Sequence, residues 1–78
     1  MRMKRAAVDM AVEYMINAGL NIPKEEMVQE IFNTYSRTHM ESDTAIEEVL
    51  QKKVGKIDPR ILSSGVIGYQ RGREASMY

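Results

Sequence analysis

The chain has 78 residues, no cysteine, one histidine, and eleven basic side chains against eleven acidic ones. That length makes one domain with a small core; without cysteine, disulfides and the commonest zinc frameworks are excluded, and one histidine argues against a protein-only zinc site. Small domains usually add a staple, and with those two gone the remaining one is a second subunit.

The first long apolar stretch, Met3 to Ala18, reads as a helix. At about 100° per residue, Arg2, Arg5, Asp9, Glu13 and Asn17 share one polar arc, interrupted by Ala6 and Ile16. Opposite them stand the small residues Ala7, Ala11 and Ala18. Met3, Met10 and Tyr14 flank this face on one side, Val8 and Met15 on the other, and Lys4 alone charges it. The apolar side is about twice as wide as the ~100° stripe of a helix lying on a domain surface. Such a helix is either central to its fold or meets another chain. Met3, Ala7, Met10, Ala11, Tyr14, Met15 and Ala18 are therefore the residues expected to mediate self-association, as a homodimer or a higher oligomer.

Gly19 is suited to close this helix through the left-handed conformation. Pro23 fits a first helical position, with Glu25 and Glu26 favourable in the opening turn and Ile22 placed to pack back as a staple. The second helix is predicted from about Pro23 to His39, with Met27, Val28, Ile31, Phe32 and Tyr35 on its apolar face. Met40 to Asp43 forms a turn. Thr44-Ala45-Ile46-Glu47 has the form of a capping box, although Ser42 or Asp43 is an equal candidate for the cap. The third helix is expected to bury Ile46, Val49, Leu50 and Val54 and to stop at Gly55. Asp58 as cap and Pro59 at the first position predict one or two further turns, ending before Ser63-Ser64-Gly65. Val66, Ile67 and Tyr69 are strand-like residues without a partner strand in this chain, and glycine and charge dominate from Gly68 onward. The fold class expected is all-α: a three-helix domain over residues 1–65 with a short fourth helical turn, then a flexible basic tail over 66–78.

Sign is segregated along the chain. Residues 9–48 hold nine acids against Lys24 and Arg37, while 51–78 hold six bases against Asp58 and Glu74. The bases either neutralise the acidic middle or form a docking segment. Lys52, Lys53, Lys56, Arg60, Tyr69, Arg71 and Arg73 are the candidate residues for binding a partner or nucleic acid.

Catalytic readings fare poorly. His39 with Glu41 and Asp43 lies at a helix end and turn, where polar residues are ordinary, and no second histidine completes a metal shell. Ser36 and His39, one helical turn apart, lack an orienting acid, an oxyanion hole and a pocket. Gly68-Tyr69-Gln70-Arg71-Gly72-Arg73 has the composition of a segment that stacks on single-stranded nucleic acid, without its repetition; it is not a phosphate loop, having no lysine and no strand-to-helix setting. A helix-turn-helix reading of the second and third helices would aim Glu47 and Glu48, just after Glu41 and Asp43, at a phosphate backbone that repels them. Seven methionines suit both core filling and an adaptable binding surface. No enzyme, metal or cofactor is expected. The acids Asp9 and Glu13 leave no apolar run of signal-peptide length after MRMKR, no stretch approaches a membrane span, and the lack of cysteine fits a reducing compartment. The function expected is a cytoplasmic protein–protein interaction module (a regulator, adaptor or inhibitor) acting as a homo-oligomer with a second protein partner. A nucleic-acid-binding accessory or regulatory protein is the alternative, using its basic N-terminal segment (Arg2, Lys4 and Arg5) and its basic C-terminal segment.

Overall fold

The computed structural model describes residues 3–75 as four helices: α1 (Arg5–Asn17), α2 (Lys24–Thr38), α3 (Ser42–Val54) and α4 (Pro59–Ala75). The described residues fit within 34 × 26 × 20 Å. Helix α1 is the centre, packed between α2 and α4, and α3 bridges α2 and α4 on the far side.

The helix boundaries follow local chemistry. Gly19 adopts φ +119°, its amide bonds the Ile16 carbonyl at 3.0 Å, and the Leu20 amide reaches back to Met15 at 2.9 Å. His39 closes α2 in the left-handed region at φ 55°, its amide 2.7 Å from the Tyr35 carbonyl. Gly55 does the same for α3 at φ 82°. The Asp58 carboxylate accepts from the Arg60 amide at 2.9 Å, capping α4 as expected. The start of α3 departs from the capping-box reading: the Glu41 carbonyl already accepts from the Ala45 amide at 2.9 Å, so the helix begins at Ser42 and Thr44 lies inside it.

The core is built from Ala7, Val8, Ala11, Val12 and Met15 of α1, Met27, Val28 and Ile31 of α2, and Ala45, Ile46, Val49 and Leu50 of α3. These are the faces that helical periodicity marks. Val54 is the exception at 49% exposed, because it ends α3 beyond the reach of its neighbours.

Helix α4 is the main correction. It continues through Ser63-Ser64-Gly65 to Ala75, so residues 66–75 belong to the bundle and the expected flexible tail does not begin at 66; residues 76–78 of that tail lie outside the described residues. Val66, Ile67 and Tyr69 are helical, not strand. Each interior glycine costs a helix up to about 1 kcal/mol against alanine, which is why local propensity predicts a stop. The packing supplies the reason to continue. Gly65, Gly68 and Gly72 are all buried on the face that meets α1, and the two helices run antiparallel. A methyl on Gly68 would stand 2.6 Å from the Met10 carbonyl oxygen, and one on Gly72 2.7 Å from the Ala7 Cα. Backbone thus lies against backbone, a separation only glycine and alanine permit.

Candidate functional site

The α1 face assigned to self-association is covered by the chain itself. Met3, Ala7, Ala11 and Met15 are buried, and Met10, Tyr14 and Ala18 are half-buried. The glycines of α4 contact Ala7, Met10, Tyr14 and Met15. The role expected of a second chain at the Ala7–Ala11 seam is taken by α4, because its glycines let a helix approach closely enough to fill it. Arg71 closes the rim, donating to the Tyr14 hydroxyl at 2.9 Å with its guanidinium 5.7 Å from the ring centroid.

The basic candidates turn toward different neighbours. Lys52 bonds Glu30 at 3.2 Å, and Lys53 bonds Glu26 at 2.9 Å with Glu30 at 3.9 Å. Both are thus directed at α2. Arg60 lies 3.8 Å from its own cap Asp58, Arg71 goes to α1, and Lys56 is exposed in the α3–α4 connection. Arg73 faces the α2–α3 turn across a cleft of about 450 Å³, shared with Tyr35, His39, Glu41 and Asp43. Tyr69 is buried beside the Lys4 backbone and the Ser42 side chain, which brings α4 against the starts of α1 and α3. Burial chiefly raises the Tyr69 phenol above its ordinary value, and the nearby Arg73 opposes this.

On the acidic side the balance is uneven. Asp9 and Glu13 of α1 and Glu25, Glu26 and Glu30 of α2 are each ion-paired within the chain. The hydrogen bond that Lys24 donates to Glu13 holds it above the ordinary lysine value, and the one Lys53 donates to Glu26 does the same there. Glu47 and Glu48 of α3 have no ion pair among the described residues. They line an open groove of about 310 Å³ on the outer face of α3, together with Met40, Thr44, Gln51 and Ile57. Glu48 is half-buried, and one of its carboxylate oxygens is withdrawn from the surface without a protein hydrogen-bond partner. Sequence reasoning missed this groove. Its signal was the acidic surplus of residues 9–48, but the surplus alone does not say which acids stay unpaired.

The His39 ring meets Tyr35 edge-on at 6.2 Å, and Ser36 is absent from the cleft lining. Among the described residues no three His, Asp or Glu side chains converge as a metal site. No described helix is long and apolar enough to cross a membrane. Comparison with family models, with curated proteins and with solved structures finds no match for this chain.

Proposed function

We propose that the chain is a small, cytoplasmic, non-enzymatic module that works by binding another protein. The observation that carries this reading is the α3 groove, where apolar side chains flank two carboxylates without an internal counter-charge. Surfaces of that make-up suit recognition of a complementary side chain better than catalysis, which needs convergent acid, base and nucleophile. The homo-oligomer expected from the width of α1 is no longer required, since α4 covers that width. Nucleic-acid binding through the basic residues would have to draw on Lys52 and Lys53, both engaged with α2.

The test is co-purification of the tagged chain from its native source with nuclease present, followed by titration with the recovered protein in pure form. A saturable protein complex tighter than ~10 μM, and labelled 20-mer DNA or RNA bound no better than ~10 μM near physiological salt, are expected. Recovery of nucleic acid alone, with nanomolar affinity and a steep salt slope, overturns the reading.

A further inference from the structure

We infer that the α3 groove receives a basic, aliphatic-flanked segment of the protein partner, with one lysine or arginine head seated on Glu48. This rests on the protein-binding reading and names the chemistry of the partner. Thr44, Glu47, Glu48 and Gln51 recur at i, i+3, i+4 and i+7, so they line one side of α3, with Met40 before the helix and Ile57 after it. Seven residues of helix span about 10 Å, the length of about three residues of extended chain.

The charge of the lining has one sign. Two carboxylates face the groove and no lysine, arginine or histidine does. The carboxylates of α1 and α2 differ in this, since each is in an ion pair, Asp9 and Glu25 sharing Arg5. The buried Glu48 oxygen adds direction. A carboxylate oxygen withdrawn from the surface without a donor is unfavourable, and a charge-assisted donor relieves it. The carboxylate charge is shared by both oxygens and Glu48 is only half-buried, so a head in the groove meets the accessible oxygen and offsets the charge of the group.

Met40 and Ile57 then select among cations. A bare metal ion needs more oxygen ligands than the groove offers, and no such cluster exists among the described residues. A lysine or arginine carries a methylene stem that lies along apolar walls while its head meets the carboxylate. Methionine adapts its shape to such a stem. Aliphatic neighbours on the partner would cover what remains of Ile57.

The probe is a fluorescein-labelled (Lys-Leu-Arg)4 peptide, titrated with the full chain by anisotropy at two salt concentrations. Saturable binding is expected. Glu48→Gln, nearly equal in volume, should weaken it by about tenfold and flatten its salt dependence. Met40→Ser and Ile57→Ser should weaken it with the salt dependence intact. Glu74→Gln makes the same charge change on α4 and should stay within about twofold. Melting curves of each variant accompany the titrations, and Glu47→Gln carries the comparison if Glu48→Gln does not fold. Absence of saturable binding overturns the proposal, and so does an equal loss with Glu74→Gln, which would show only the general field of the molecule. Dimerisation that Glu48→Gln abolishes also overturns it, by making a second copy the occupant. A purified partner that binds wild type and Glu48→Gln equally sinks the groove assignment while leaving the protein-binding reading intact.

Discussion

At the scale of single residues, Gly68 and Gly72 matter through the side chains they lack. Alanine is the better helix former by about 1 kcal/mol, so at an open site Gly→Ala stabilises. At Gly68 the new methyl meets the Met10 carbonyl and the Tyr14 side chain at 2.6 to 2.9 Å, and the carbonyl cannot turn aside. Gly68→Ala is expected to destabilise by about 1–3 kcal/mol net, a fall of several degrees in melting temperature by circular dichroism. Gly65→Ala meets the flexible Met15 side chain and should cost less. A rise in melting temperature for Gly68→Ala would mean that the two helices do not cross there. Ala11 lies on the same buried seam, and Ala11→Glu should abolish the cooperative melt, because it places a charge where no partner waits.

At the scale of elements, α4 decides whether α1 is covered. Lacking a periodic apolar run, residues 70–78 look dispensable in the sequence, and deleting them would be expected to leave the melting temperature nearly unchanged. The structure reverses that. Truncation after Tyr69 removes the Gly72 contact with Ala7 and the Arg71 bond to Tyr14, exposing the first turns of α1. A lowered melting temperature and binding of a hydrophobic dye are expected. Truncation after Gly65 removes Tyr69 as well, and with it the contacts to Lys4 and Ser42; no cooperative transition should survive. An unchanged melt in the first case would show that the end of α4 contributes nothing.

At the scale of the whole molecule, the titrating groups agree in direction. Tyr69, Lys24 and Lys53 each hold a proton more tightly folded than unfolded, the first by burial and the others by carboxylate hydrogen bonds. Their contribution is therefore complete below the ordinary values of 10.0 and 10.5 and is lost as pH climbs through the raised ones. Melting temperature is expected to fall from about pH 10 upward. Tyr69→Phe should flatten the onset of that fall, and an identical profile would remove Tyr69 from the account. Because the chain covers its own α1, light scattering at micromolar concentration is expected to return the mass of one chain. A dimer would have to form on a different surface.

The sequence by itself determined what is local. Periodicity marks the buried faces of α1, α2 and α3, and Gly19, Gly55 and the Asp58-Pro59 pair punctuate the chain within a residue or two of the observed ends, because caps and turns depend on neighbours a few positions apart. The two halves of the central seam were also visible, as the alanines of α1 and the glycines beyond position 64. Their relation was not. A glycine-rich segment is a poor helix alone, and only the facing alanines, more than fifty residues away in sequence, make its missing side chains an advantage. The alanine face consequently looked like a seam for a second chain. Charge divides the same way. The acidic middle and basic end can be counted in the sequence, but Coulomb pairing depends on distance. Only the tertiary structure brings Lys52 and Lys53 against Glu30 and Glu26 and leaves Glu47 and Glu48 without a cation.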